Sequence, residues 1–272
     1  MYIGCRVSLV IPCYNEEEGL QTLLRDIPSV VDEVLTVDNN STDATAAVAR
    51  TFGAKVVFEP EKGYGNAYRT GFAHADGDII VTMDADGMYP LESIERLVKT
   101  VTNDGYDFIT TRRIPDRRRG FSSLLRYYGD VVLNIFTKML FGVKLKDSQS
   151  GMWVFRKNIL KKLRVESPGM PMSQELKIEA YLNPDVKTIE IPVLYRDERI
   201  GISKLNIWRD GFGNLFFLFK KRWRDRKTRE FISEVERTTT SPTYRVSFPE
   251  SGNGIRLEPK NAPENIHHHS SA

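Results

Sequence analysis

The sequence has few cysteines and no long apolar run, and each absence excludes a class of protein. Its 272 residues include two cysteines, Cys5 and Cys13, too few for a disulfide scaffold or for a zinc site built from cysteines. No apolar stretch approaches the roughly 18 residues that a membrane-spanning helix needs. The first residues enter an apolar strand pattern without a basic segment or a cleavage site, so we expect no secretory signal. We therefore expect a reduced, cytoplasmic protein.

An excess of positive charge is also absent, except in one short segment. The chain has 39 Lys and Arg against 36 Asp and Glu, a net charge of +3. The excess is concentrated in Lys220–Arg229, which has the sequence KKRWRDRKTR. Nucleic-acid-binding domains usually spread positive charge over a folded face, so the pattern argues against nucleic acid as a partner. It suits an anionic membrane surface, or is a solvated helix end.

Apolar segments alternate with helical patterns in the first part of the chain. Each apolar segment is short and rich in β-branched residues, which indicates a buried strand. Strands that alternate with helices predict an α/β fold with a Rossmann-like, doubly wound, mainly parallel sheet and flanking helices. The predicted strands are Arg6–Cys13, Glu33–Val37, Ala54–Phe58, Asp78–Met83 and Phe108–Thr111.

The second part of the chain is less regular. A strand is predicted over Val186–Ile191, ending at Pro192. After about Thr238 the chain is rich in Thr, Ser, Pro and Gly without periodicity, which predicts disorder. Apolar residues at helical spacing predict helices over Phe121–Leu140, over Ser173–Leu182 and from Asn206 to Trp223.

Two carboxylates, Asp84 and Asp86, directly follow the fourth predicted strand. In open α/β sheets the ligand crevice lies beyond the carboxyl ends of the strands. Hard divalent cations prefer oxygen ligands, and Mg²⁺ is commonly held by one or two carboxylates together with substrate phosphates. The pair therefore indicates a metal site, with a solvated turn as the alternative.

Polar segments also follow the first two strands, at the same edge of the predicted sheet. They are PCYNEE at residues 12–17 and VDNNSTDAT at residues 37–45. Asp38 occupies the position of the acid that binds a ribose hydroxyl in nucleotide-binding folds. Asp38 could instead cap the next helix, although Ser41 is available for that role. Three acidic strand ends at one edge favour a metal-assisted nucleotide site.

These three motifs, in this order and spacing, resemble those of family 2 glycosyltransferases with a GT-A fold. The similarity continues in EKGYGNA at residues 61–67, DSQSG at 147–151 and RIGISK at 199–204. The last two are similar to the subgroup of dolichol-phosphate mannose synthase and bacterial polyprenyl-phosphate glycosyltransferases. The resemblance implies a GT-A domain over residues 1–222, divided near residue 112 into a nucleotide-sugar half and an acceptor half that ends in an amphipathic helix. A basic and then disordered tail would follow over residues 223–272.

The resemblance implies a UDP- or GDP-hexose donor and Mg²⁺ or Mn²⁺ as cofactor. Asp84 and Asp86 would bind the metal, which stabilises the departing diphosphate. Relatives often carry a glutamine ligand where this chain has Met88, and a thioether is a poor ligand for a hard cation. The other ligands would then be phosphates, water or another carboxylate. The residues implied to contact the nucleotide sugar are Pro12, Tyr14, Asn15, Glu16, Asp38, Lys62, Asp84, Ala85 and Asp86.

The implied catalytic residues are Asp86, Asp147 and Glu175. Asp147 is either a site carboxylate or a turn residue. Glu175 either orients the acceptor or acts as a base, or it complements the helix dipole after Ser173. Arginine suits an acceptor phosphate because its planar fork donates hydrogen bonds in pairs. The residues implied to bind that phosphate are Arg112, Arg126, Arg199, Ser203 and Lys204.

We therefore expect a metal-dependent inverting glycosyltransferase that moves a hexose to a polyprenyl phosphate, peripheral on the inner face of a membrane. A family 2 enzyme with a soluble, polysaccharide or protein hydroxyl acceptor is the alternative. A nucleotidyltransferase should carry a basic, Gly-rich loop after the first strand, where this chain is acidic. The intact Asp84 and Asp86 pair argues against a non-catalytic module.

Overall fold

The computed structural model describes residues 4–115, 121–196, 199–201, 207–239, 244–247 and 256–259. The chain forms two compact units, Met1–Leu218 and Phe219–Ala272. Within the described residues, no helix is both long enough and apolar enough to cross a bilayer.

The first unit contains a seven-stranded sheet. Its strands are β1 (Val7–Cys13), β2 (Glu33–Asp38), β3 (Lys55–Phe58), β4 (Ile79–Thr82), β5 (Phe108–Pro115), β6 (Trp153–Arg156) and β7 (Thr188–Tyr195). Their spatial order is β3-β2-β1-β4-β6-β5-β7. All neighbours are parallel except β6, which runs antiparallel between β4 and β5. The mainly parallel α/β sheet predicted from the sequence is confirmed.

Helices cover both faces of this sheet, as β1 shows. Val7, Leu9 and Ile11 are fully buried in one core, whereas Val10 is fully buried in the core on the opposite face. A strand covered on both faces is apolar at successive positions, which explains the continuous apolar run. A third apolar cluster joins α5, α6 and the start of α7. The helices are α1 (Glu17–Leu23), α2 (Thr45–Thr51), α3 (Tyr64–His74), α4 (Ser93–Asn103), α5 (Phe121–Phe141), α6 (Pro171–Leu182) and α7 (Ile207–Thr239).

The structure differs from the sequence prediction in the second part of the chain. β7 continues through Pro192, which is tolerated because β7 is an edge strand with a free side. β6, of four residues, is a strand that the sequence analysis does not predict. In the second unit, β8 (Tyr244–Ser247) and β9 (Arg256–Pro259) pair antiparallel. Both strands lie in the part of the chain for which the sequence predicts disorder.

Candidate active site

A cavity of about 480 Å³ lies beyond the carboxyl ends of β1 and β4. What we call the first wall comes from residues after β1, β2, β4 and β7, together with the segment before α3. What we call the second wall comes from β5, α5, the loop before β6 and the start of α7. The first wall includes Pro12, Tyr14, Glu16, Asn39, Lys62, Asp84, Ala85, Asp86 and Arg199, and the second includes Arg113, Asp130, Gln149, Arg209, Asp210 and Asn214.

Asp84 and Asp86 lie in the first wall, directly after β4. The Tyr64 hydroxyl donates to Asp84 Oδ1 at 3.2 Å. Gly151 leaves room for the other oxygen, because a Cβ there would lie 2.7 Å from Asp84 Oδ2. Removal from bulk water and the neighbouring Asp86 charge raise the pKa of Asp84 to about 7. A carboxylate under this electrostatic stress fits a divalent cation, which would offset the repulsion between the two acids.

The rest of a metal's ligands would come from outside the protein. The described part of the chain contains no group of three or more His, Cys, Asp or Glu side chains arranged to hold a metal. Met88 is buried, and its sulfur accepts a hydrogen bond from the Tyr195 hydroxyl at 3.3 Å. Substrate phosphates and water commonly complete the ligand set of a Mg²⁺ ion held by one or two carboxylates.

Arg199 lies in the first wall, where it bridges two acids. Its Nη1 donates to Asp86 Oδ2 at 3.0 Å, and its Nη2 donates to Glu16 Oε1 at 2.9 Å. The sequence assigned Arg199 to the acceptor phosphate. In the structure it instead contacts Asp86, predicted to bind metal, and Glu16, predicted to bind the nucleotide sugar. Glu16 and Arg199 are 183 residues apart in the sequence.

Five further residues of the first wall match the implied nucleotide-sugar contacts: Pro12, Tyr14, Glu16, Lys62 and Ala85 line the cavity. Lys62 Nζ donates to the Tyr14 hydroxyl at 2.8 Å and lies 4.3 Å from the centroid of its ring. This contact places a cation and an aromatic face side by side at the cavity edge.

Asn15 and Asp38 lie outside the cavity lining and hold the loop after β2. Asn15 Oδ1 accepts the Thr42 N–H at 2.7 Å, and Asp38 Oδ1 accepts the Ser41 N–H at 3.0 Å. The Ser41 hydroxyl accepts the Asn15 N–H and does not cap α2, contrary to the prediction. The neighbouring Asn39, which the sequence analysis passed over, lines the cavity instead.

Arg113, in the second wall, is held by two carboxylates. Its Nε and Nη2 donate to the two oxygens of Asp147 at 2.7 and 2.8 Å, and Nη2 also donates to Asp130 at 2.9 Å. Burial opposes ionisation of Asp147, yet the Arg113 charge and hydrogen bonds lower its pKa to about 2. Asp147 thus pairs with Arg113 and is absent from the described cavity lining, and its catalytic role stays a prediction. Arg112, its neighbour on β5, is likewise absent from the described lining.

A buried lysine fixes the loop between Asp147 and β6. The Ser150 carbonyl accepts hydrogen bonds from Lys177 Nζ at 2.6 Å and from Trp153 Nε1 at 2.8 Å. Burial lowers the pKa of Lys177 to about 7. The fixed loop presents Gln149 to the second wall, where its Oε1 accepts from Asn214 Nδ2 at 2.9 Å. A lysine on a mostly apolar helix gave no sequence signal for this role.

Glu175 is fully buried and supports a loop away from the cavity lining. Its Oε2 accepts the backbone N–H groups of Glu166 and Ser167 at 2.9 and 2.7 Å. Both bonds fix the segment before α6 and give Glu175 a structural role, while its catalytic role stays a prediction. The side chain of Arg126 lies outside the described residues, as do Ser203 and Lys204.

Comparison with known proteins agrees with the resemblance. The family model described as "Glycosyl transferase family 2" matches residues 8–164, more than half of the chain. The chain is 32% identical over 209 residues to the dolichyl-phosphate hexose transferase of Haloferax volcanii, covering 75% of this chain and 89% of that protein. It is 30% identical over 220 residues to an undecaprenyl-phosphate 4-deoxy-4-formamido-L-arabinose transferase of Sodalis glossinidius, covering 75% and 64%. The chain spans about half the length of several other curated relatives.

A solved structure supports the fold. Glucosyl-3-phosphoglycerate synthase from Mycobacterium tuberculosis, in complex with Mn²⁺, UDP-glucose and phosphoglyceric acid, superposes with a TM-score of 0.63. The match covers 94% of this chain and 87% of that chain, at 20% identity. The expected GT-A type fold is confirmed.

Proposed function

The chain belongs to glycosyl transferase family 2, and we propose that it moves a hexose from a nucleotide-diphosphate sugar to a polyprenyl phosphate, with inversion and with a divalent metal. The observation that carries the proposal is that Asp84, Asp86 and Arg113 line one cavity. Carboxylates suit the metal-bound diphosphate of a donor, and a guanidinium suits the phosphate of an acceptor.

The first wall supports the donor part of the proposal. A divalent ion bound there would neutralise the charge that develops on the departing diphosphate. Asp84 and Asp86 would hold that ion, while Tyr14 and Lys62 border the same wall, where a base and ribose would lie. Mn²⁺ and UDP-glucose occur together in the structural neighbour, which supports a donor and cofactor of this kind.

Two observations support a polyprenyl phosphate as the acceptor: the names of the relatives, and the hydrogen bonds that already engage two carboxylates. The Haloferax and Sodalis proteins are named for dolichyl and undecaprenyl phosphate. An acceptor phosphate is already ionised and needs no general base. That chemistry agrees with the engagement of Asp147 by Arg113 and of Glu175 by a backbone loop. Direct attack by the phosphate on the anomeric carbon would invert its configuration.

Exposed apolar residues beside the cavity suit the hydrocarbon part of such an acceptor. On α5, Val132, Ile135 and Met139 are 44%, 57% and 64% exposed at helical spacing. On α7, Phe212 and Phe216 are 65% and 71% exposed. Both helices also contribute polar residues to the cavity. We infer that this apolar surface lies against prenyl chains at the face of a membrane, on the cytoplasmic side, where a polyprenyl phosphate would be met.

The proposal is tested with a panel of radiolabelled UDP- and GDP-hexoses, with and without polyprenyl phosphate, in Mn²⁺ or in EDTA. We expect one donor to label the lipid fraction, only with lipid phosphate present, and EDTA to abolish the labelling reversibly. Full activity in EDTA would contradict the metal part. Labelling of added hydroxyl acceptors but not of lipid phosphate would contradict the acceptor part.

A hydroxyl acceptor is the second candidate, and Asp130 is the observation that favours it. The Asp130 carboxylate lines the cavity, and burial raises its pKa, as expected for a group that accepts a proton from a hydroxyl. Under this alternative, Asp130→Asn abolishes transfer. Under the preferred proposal the same variant keeps most of its activity, because Asp130 only pairs with Arg113.

Membrane contact has its own test, sedimentation with vesicles. Ile135→Glu should weaken binding to lipid vesicles, whereas Leu182→Glu, a matched change at an exposed leucine on α6, should not. Vesicles with anionic lipid should bind more protein than neutral ones, and salt should reduce the difference, because Lys220–Arg229 is basic. Equal binding of all variants to both kinds of vesicle would contradict a peripheral location.

A further inference from the structure

Arg199 occupies one oxygen of the Asp86 carboxylate, while the other oxygen accepts the Met88 N–H at 3.2 Å. Its guanidinium spans Asp86 Oδ2 and Glu16 Oε1 at 3.0 and 2.9 Å. All three side chains are largely shielded from water, with exposures of 23% for Arg199, 6% for Asp86 and 11% for Glu16. Arg199 Nε is buried and has no hydrogen-bond partner among the described residues. Within the described residues, the guanidinium is thus held through its two terminal nitrogens.

Backbone hydrogen bonds hold the segment that carries Arg199 against the turn that carries Asp86. The Ile200 N–H donates to the Asp86 carbonyl at 3.0 Å, and the Arg196 N–H donates to the Met88 carbonyl at 2.9 Å. Gly87 has a φ of +73°, and a Cβ there would lie 3.0 Å from Ile200 Cδ1. The segment therefore lies directly on the turn that carries Asp86, unlike an ordinary surface ion pair.

We propose that Arg199 is an internal counter-cation that competes with the divalent metal for Asp86, and that its release by the metal makes it available to a substrate phosphate. The inference rests on the proposed function. Its physical basis is that the guanidinium, 3.0 Å from Asp86 Oδ2, occupies one lone-pair site of that oxygen and repels a cation that approaches the same carboxylate. A guanidinium displaced from one oxyanion pairs readily with another, and phosphate matches its fork.

The competition is tested by titrating Mn²⁺ into the protein without nucleotide and following the free-ion signal by electron paramagnetic resonance. Arg199→Met should bind Mn²⁺ about tenfold or more tightly than wild type, since a competing charge-assisted bond is removed. Arg196→Met is the matched control, because Arg196 lies in the same segment but pairs with Glu92 on the surface, with exposures of 56% and 64%. It should leave Mn²⁺ affinity unchanged.

A second variant guards against a folding failure of the first. Arg199→Lys keeps the charge but loses the fork that spans both acids, so its Mn²⁺ affinity should lie between those of wild type and Arg199→Met. Equal or weaker Mn²⁺ binding by both variants, in proteins with wild-type circular dichroism, overturns the inference. If wild type fails to bind Mn²⁺ even with UDP present, the proposed metal-dependent function is what fails.

Two further measurements at saturating Mn²⁺ identify the phosphate with which the displaced Arg199 pairs. A weaker affinity of Arg199→Met for UDP assigns the guanidinium to the donor diphosphate. A raised KM for a short-chain polyprenyl phosphate, with UDP affinity unchanged, assigns it to the acceptor. If neither quantity changes, the exchange of partners is refuted.

Discussion

The two walls of the cavity differ in what brings their residues together. In the first wall, Asp84 and Asp86 follow β4 directly, and Tyr14 and Glu16 follow β1. Parallel strands place their carboxyl ends at one edge, so short motifs suffice to bring these residues together, and Arg199 joins them through ion pairs from a distant segment. In the second wall, Arg113 is positioned by Asp147, 34 residues later. The comparison shows that strand ends assemble most of the first wall, whereas side-chain pairing fixes Arg113 in the second.

Substitution of Asp86 in the first wall should have the largest effect on the rate of transfer. Asp86→Asn keeps the size of the side chain but removes one charge from the proposed metal site. We expect transfer to fall at least about 100-fold, since electrostatic stabilisation of a departing group is commonly of that size. Initial rates with labelled donor at saturating Mn²⁺ measure the loss.

The matched control is Asp104→Asn, at the exposed end of α4, which should keep the wild-type rate within about twofold. More than a tenth of the wild-type rate in Asp86→Asn would mean that the first wall is not the site of metal-assisted chemistry.

Substitution of Arg113 tests the second wall, and its expected loss of activity is the next largest. Arg113→Met should lower kcat/KM for the acceptor about ten- to a hundredfold, because one charge-assisted contact to phosphate is lost. The KM for the donor should stay within about twofold, since the proposed donor contacts come from residues of the first wall. Steady-state kinetics with each substrate varied in turn separate the two parameters.

Arg112→Met provides a sharp control for Arg113→Met. Successive residues of a strand point to opposite faces, and Arg112 is absent from the described cavity lining. We expect acceptor kinetics close to wild type. If Arg112→Met is the damaging change and Arg113→Met is silent, the second wall is assigned to the wrong arginine.

The same contrast explains how much the sequence could predict. The mainly parallel sheet follows from the alternation of strands and helices, and the edge that carries the site and most first-wall residues follow from motifs at strand ends. The exceptions depend on contacts between distant segments. Arg199 pairs with Glu16, which lies 183 residues away in the sequence. Glu175 accepts hydrogen bonds from backbone N–H groups, and no pattern of side chains in the sequence predicts such a contact. Arg113 lines the cavity and Arg112 does not, because only one face of β5 borders the cavity. The sequence alone does not indicate which face that is.

Acid stability probes the long-range pair of Arg113 and Asp147 without any substrate. The folded pKa of Asp147, about 2, lies below its ordinary value of 3.8. The stabilisation is therefore fully present above about pH 5 and is lost progressively as the pH falls toward 1, by about 2 kcal/mol in total. Urea unfolding at pH 4 and pH 2 should show a shallower pH dependence for Asp147→Asn than for wild type. Parallel pH dependences would contradict the pairing.

Glu175→Gln should have the smallest effect on catalysis. It weakens two hydrogen bonds to the backbone of residues 166 and 167, so the free energy of unfolding should fall by about 1–3 kcal/mol. Turnover per folded molecule should stay near that of wild type. Normal stability combined with a tenfold loss of kcat would restore Glu175 as a catalytic residue.

The central claim is that the first wall holds the donor diphosphate while the second presents a phosphate acceptor to the anomeric carbon. Mass spectrometry and proton NMR of the purified lipid product test it most directly. The account predicts one hexose joined through a single phosphate to the prenyl chain, with the anomeric configuration opposite to that of the donor. A retained configuration, or a hexose joined to a hydroxyl group, would contradict it.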